Sequence, residues 1–197
     1  MVNKYFYKRF VQDDHFYFFA EKIVTMIELL RNRRSIRKYT DQQIESEKIE
    51  LMKEALLRSP SSKNINTWEF IFVYDLDIIQ KLKNCKPYGT TPLDTAPLAV
   101  VVCSGKTQND VWVENCSIAS ILLQLTAQSL GLRSCWIQVR NRMYSETESS
   151  ENYIKELLGI PENFGVLSII TIGYPAITCE SRPFSELQFE KIRINKF

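Results

Sequence analysis

Histidine is almost missing from this chain: His15 is the only one among 197 residues. That excludes most Ser-His-Asp and Cys-His nucleophilic schemes and most imidazole metal sites, because no well-placed ring remains. Zinc-ligand and CxxC spacings are absent as well. The five cysteines, Cys85, Cys103, Cys116, Cys135 and Cys179, are odd in number and scattered, several of them inside apolar runs. They read as buried free thiols of a reducing, cytoplasmic compartment. No apolar run approaches the roughly twenty residues of a membrane-spanning helix. Charge of one sign is not in excess either: the net charge is +2, so general attraction to nucleic acid or to a membrane is not implied. Carboxylates form no metal-binding motif, and a glycine-rich dinucleotide fingerprint is absent. Any catalysis is therefore left to a bound cofactor.

What the chain does have is a local concentration of positive charge. "RNRRSIRKYT" (31–40) sets Arg31, Arg33, Arg34, Arg37 and Lys38 around Ser35, directly after the apolar run "VTMIELL". Cations are favoured at the C-terminal end of a helix, and a helix over about 20–31 places Arg31 and Arg33 there with no further role. Ser35 and Arg37 lie beyond such a helix. In an extended segment Arg33, Ser35 and Arg37 point the same way, and two guanidinium forks flanking a hydroxyl suit a phosphate. A nucleic-acid contact is the other reading of the run, and the near-neutral net charge argues against it.

The remaining pattern is that of one α/β domain. Ser46 is placed to cap a second helix with Ile49, Met52, Ala55 and Leu56 on its buried side. Residues 68–75 read as a strand and 77–84 as a short helix, while the continuous apolar run 98–104 reads as a strand covered on both faces. The longest helix is expected over 110–130, ended by Gly131. A strand at 134–139, a helix stopped by Gly159 and Pro161, and a strand at 165–175 follow. The tail from about residue 180 reads as an extended arm over another surface. Residues 1–25 are aromatic-rich and lack a signal-peptide pattern; they read as an N-terminal extension to a domain over 26–197. Ser61, Ser62 and Asn64 fall in a turn-forming stretch, where they either hydrogen-bond their own backbone or surround a polar ligand.

"RRSIRKY" (33–39), "SPSSKNINTWEF" (59–70), "APLAVVVC" (96–103), "LGLRSCWI" (130–137) and "LGIPENFGVLSIITIGYP" (158–175) occur in the order of the FMN-dependent nitroreductases, which the chain resembles over about residues 26–190. The resemblance implies a nitroreductase-like α/β (α+β) fold: a central mixed β-sheet flanked by helices, a long central helix at a dimer interface, and an extended C-terminal arm. It implies a homodimer with bound FMN between subunits, NADH or NADPH as transient co-substrate, and a small electron-poor acceptor. It also matches Arg33, Arg34, Ser35 and Arg182 to the FMN phosphate site and Arg37 to the N1/O2 edge of the flavin. Ser61, Ser62 and Asn64 match a stretch reaching the flavin from the other subunit. Trp136, Ile137 and Gln138 match the strand whose amides approach N5 and O4. The sequence departs from the family at Asn66-Thr67, where Gln-Pro is common, and at Glu180, where a second basic residue is common. It also has no lysine at the family's position in the loop before the second strand, leaving Arg37 to act alone there. A non-catalytic flavin-binding protein, or another flavin reaction such as reductive dehalogenation, is the alternative on the same scaffold.

Overall fold

The computed structural model describes residues 25–107 and 110–197. The expected N-terminal extension, apart from Thr25, lies outside the described residues, as does the first part of the helix expected from residue 20. Helix α1, Met26–Asn32, opens with a capping box: Thr25 accepts from the Glu28 amide while the Glu28 carboxylate takes the Thr25 amide at 2.8 Å. Helix α2, Ser46–Leu57, begins at Ser46, the residue expected to cap it. Glu45 occupies the cap position without a capping bond, because its carboxylate is engaged by the Tyr174 hydroxyl at 2.7 Å and by Lys48 at 3.2 Å. That hydroxyl bond, from a residue at the far end of the chain, holds the carboxyl below the usual range. Of the side chains expected inward, Met52 and Leu56 are buried, and Ile49 and Ala55 are partly so.

The strands are β1 (Trp68–Val73), β2 (Leu98–Gly105), β3 (Arg133–Gln138) and β4 (Phe164–Gly173), ordered β1-β2-β4-β3 with every neighbouring pair antiparallel. The parallel element of the sheet is an isolated bridge between Ser35 and Ser134. β2 and β4 are central, and alternation divides their side chains between two cores. Val100, Val102, Ile170 and Ile172 face α2 and α4 (Trp112–Ser129). Val101 and Ile169 face α3 (Leu76–Lys83) and α5 (Ser150–Leu158). The continuous apolar run of β2 is thus covered on both sides, as expected.

α4 is the longest helix described. Gly131 ends it at φ +82, with the Leu132 amide returning to the Ala127 carbonyl at 2.9 Å. The helix is tied to α1 by Gln128, whose amide donates to the Leu29 carbonyl at 2.7 Å. Ile118 and Ile121 remain exposed on its outer face.

The segment after α1 runs along the outer edge of β3. The Ile36 amide donates to the Ser134 carbonyl at 3.1 Å, the Thr40 amide to the Tyr174 carbonyl at 2.9 Å, and Ala176 returns to the Lys38 carbonyl at 3.0 Å. Tyr39 is buried in this seam. Its hydroxyl donates to the Ile36 carbonyl at 2.7 Å and shares a 2.8 Å hydrogen bond with the Thr171 hydroxyl. Gly173 permits the approach, since a Cβ there would lie 2.8 Å from Pro97 Cδ and 3.0 Å from Tyr39 Cβ.

Two outcomes are expected. Gly173→Ala forces Tyr39 and Pro97 apart and lowers unfolding free energy by about 1–3 kcal/mol, the range for overpacked sites, read from urea melts. Four thiols are buried and Cys179 is exposed, so the expectation of burial does not hold for Cys179. Burial pushes Cys85 up to about 11 and Cys103 and Cys116 up to about 12. A thiol reagent at mildly alkaline pH is therefore expected to label Cys179 alone in the native protein and all five cysteines after denaturation.

Candidate functional site

α1 stops at Asn32, and Arg33 already has extended backbone, φ −70 and ψ 123. Ile36 is buried, which fixes the rotation of the segment and turns Ser35 and Arg37 outward. They open onto a cleft of about 980 Å³ between the end of α1 and residues 181–189. Arg31, Arg33, Arg34, Arg37 and Arg182 line it together with Ser35 and Ser181; Ile27, Leu30, Phe184, Leu187 and Phe189 supply an apolar wall. Strict alternation would turn Arg34 away from Arg33. It lines the cleft nonetheless, as an exposed residue. Arg31, assigned on sequence to the helix end, lines the cleft too.

Among the described residues, no carboxylate lies within ion-pair distance of any of these guanidinium groups, whereas Lys48, Lys53, Arg58, Lys83, Lys106 and Lys155 all have one. Cations gathered without a counter-ion repel one another, and a bound anion relieves that repulsion. The donor set fits a phosphate, through planar forks and a hydroxyl. The adjoining apolar wall fits a flat ring system.

β3 provides the second part of the site. Ser134 directs its carbonyl to Ile36, so strand alternation directs the main-chain groups of Trp136 and Gln138 to the same outer edge. Their side chains are internally committed. Trp136 Nε1 donates to Gln138 Oε1 at 2.9 Å, and Gln138 Nε2 donates to the Arg140 carbonyl at 2.9 Å. The backbone is what remains available to a ligand. Ile137 differs from its neighbours: it is buried opposite Ile169, and the same alternation turns its amide toward β4, away from the outer edge.

Ser61, Ser62 and Asn64 are not part of this cleft. They lie between α2 and β1, where Asn66 gives its amide to Ser61 Oγ at 3.0 Å and its side chain to Asn64 Oδ1 at 3.4 Å. Lys63, Asn64 and Asn66 adopt positive φ of 53, 53 and 54. These bonds and left-handed residues hold the turn that Gln-Pro would otherwise stiffen. The Ser62 amide donates to Asn115 Oδ1 at 3.1 Å, leaving the buried Asn115 Nδ2 without an acceptor among the described residues. Glu180 does not line the cleft, and Ser181 and Arg182 do so in its place.

Lys86 is a residue that sequence reasoning missed. Its ammonium donates to the Gln138 carbonyl at 2.8 Å. Nothing in "CKPYG" signals this, since the contact spans about fifty positions and depends on the loop after α3 reaching β3. Arg37, Lys86 and Arg33 all act electrostatically on the buried Cys135 thiol, drawing it down, while the larger effect of burial raises it. The arginine-bearing segment thus meets β3 at Ser134, near its start, and Lys86 meets it at Gln138, its last residue.

A family model for the nitroreductase family matches residues 30–86 and 84–174. A protein of Archaeoglobus fulgidus, provisionally named an NADH dehydrogenase/NAD(P)H nitroreductase, is 38% identical over 153 residues, covering 76% of this chain and 84% of its own. An FMN reductase [NAD(P)H] of Bacillus subtilis is 26% identical over 180 residues, covering 80% and 69%. Among solved structures, an FMN-dependent nitroreductase of Clostridium difficile R20291 superposes with a TM-score of 0.86 at 45% identity, over 87% of this chain and 100% of that one. With the family model covering most of the chain, and with the antiparallel sheet, central helix and basic cleft in place, the chain belongs to the nitroreductase family.

Proposed function

We propose that the chain is an FMN-dependent NAD(P)H oxidoreductase that reduces small electron-poor acceptors such as nitroaromatics or quinones. The observation that carries this reading is the cleft of five guanidinium groups, none with a carboxylate partner among the described residues. Charge-assisted bonds from Arg33, Arg34 and Arg182, with the Ser35 hydroxyl, hold the FMN phosphate, each arginine contributing roughly 1.5–3 kcal/mol net. Arg37 faces the N1/O2 side. At about 4 Å and an effective dielectric of 20, one such cation favours a new negative charge by on the order of 4 kcal/mol. The outward amides of Trp136 and Gln138 orient the N5/O4 side. Bound FMN supplies hydride transfer at N5. The reading is a ping-pong exchange, nicotinamide and acceptor occupying one site in turn.

The site is completed by a second copy of the chain. Ser61, Ser62 and Asn64 stand apart from the basic cleft of their own chain, and the turn that carries them is conformationally committed before any ligand arrives. Ile118 and Ile121 on α4, and Phe184, Ile192, Ile194 and Phe197 on the arm, are exposed apolar groups of the kind a dimer covers. No helix among the described residues is long and apolar enough to cross a membrane.

The purified protein is expected to be yellow and to bleach anaerobically with NADH or NADPH; colour without bleaching overturns the enzymatic reading. Arg33→Ala is expected to weaken FMN binding about ten- to a hundredfold, measured by flavin fluorescence. Arg58→Ala, whose guanidinium pairs with Glu54 on α2, is expected to leave binding unchanged.

A further inference from the structure

Asn115 is a polar side chain in an apolar place. It lies near the start of α4, is 3% exposed, and is followed along the helix by the buried Cys116 and Ala119. Its Oδ1 accepts the Ser62 amide at 3.1 Å across 53 positions. That bond fixes which way the side-chain amide faces, and Nδ2 is then buried without an acceptor among the described residues. An unmet buried donor costs stability, whereas a leucine, branched at the same carbon, carries no such donor. Packing gives no reason for an amide here; the bond to Ser62 does.

The turn that Asn115 holds is otherwise closed on itself. The Ser61 carbonyl accepts the Asn64 amide at 3.1 Å, and the Ser62 carbonyl accepts the Ile65 amide at 3.2 Å. Ser61 Oγ takes the Asn66 amide at 3.0 Å and donates to Asn66 Oδ1 at 2.6 Å. Among the described residues, the bond to Asn115 is the one hydrogen bond from residues 61–66 to the rest of the fold. Internal bonds set the shape of such a turn, and the external one sets its place. No proline stiffens its junction with β1, where Asn66-Thr67 stands.

We propose that Asn115 is a positioning residue of the flavin site: by holding the Ser62 amide, it sets where the turn at 61–66 stands against FMN in the basic cleft of a second copy. This rests on the reading above that the turn completes the partner chain's site. Asn115 acts through Ser62 and touches neither flavin nor acceptor. Stability and binding therefore make opposite demands on this position.

The test compares the FMN dissociation constant, from flavin fluorescence, with a thermal melt of the same chain without added flavin, for Asn115→Leu and Asn115→Asp. The leucine removes both the acceptor and the unmet donor, and the Ser62 amide, only partly buried, turns to water. Asn115→Leu is expected to melt no lower than the unaltered protein yet bind FMN roughly tenfold more weakly. Asn115→Asp keeps an oxygen for Ser62 while burying a charge, so it is expected to melt lower yet bind FMN nearly as the unaltered protein does. Mixed dimers of an Asn115→Leu chain with an Arg33→Ala chain are expected to retain a tight FMN site, because the intact cleft then faces the intact turn. Unaltered FMN affinity in Asn115→Leu, affinity that follows the melt in both variants, or loss of the tight site in the mixed dimer overturns the proposal and leaves the FMN reading standing. Failure of the unaltered protein to bind FMN overturns both.

Discussion

The site depends on a short stretch of main-chain pairing, where the segment after α1 is laid along the outer edge of β3. Ile36 donates to Ser134, and the buried Ile36 and Tyr39 side chains fasten the stretch at two points. Without that pairing, Arg33, Ser35 and Arg37 would belong to a free loop, and their charges would be spread through solvent. With it, side chains two residues apart open onto one cleft, while the partner strand keeps main-chain groups free at the same edge. One set of hydrogen bonds therefore builds both the cationic wall of the cleft and the strand edge beside it.

The electrostatics of this region follow from a conflict between charge and burial. Cys135 sits among Arg33, Arg37 and Lys86, which favour its thiolate, and burial still raises its pKa. Lys86 is driven the opposite way by the same desolvation. Both effects express one condition: a low-dielectric edge carrying more positive charge than its neighbours neutralise. Such an arrangement costs stability in the free protein and is relieved by an anionic ligand. It is the pattern expected where binding, more than packing, sets the choice of residues.

The two cores allow this strain to persist. β2 and β4 are covered on both faces, with helices on either side of the sheet. The sheet edge can then be given over to polar contacts. The turn over residues 61–66 shows a similar division of labour. Its left-handed Lys63, Asn64 and Asn66 are held by Ser61 and Asn115, so hydrogen bonds do the work that a proline would have done covalently.

Much of the architecture was legible in the letters. The doubly covered strand at 98–105, the long helix ended by Gly131 and the basic run after α1 are written in hydrophobic period and backbone chemistry, which act between near neighbours. The cap of α2 was not legible, because Tyr174 claims the Glu45 carboxylate from over a hundred residues away. Nor was the presence of Arg31 in the cleft, since helix-end preference explains that residue equally well. Lys86 was invisible for the same reason as Tyr174. By itself the sequence determined which segments are helix and strand and where positive charge is concentrated, since those properties are local. Only the tertiary structure decided which cations share a cleft, which amides of β3 stay open and that Lys86 reaches the Gln138 carbonyl, because long-range pairing sets the distances on which Coulomb and hydrogen-bond energies depend.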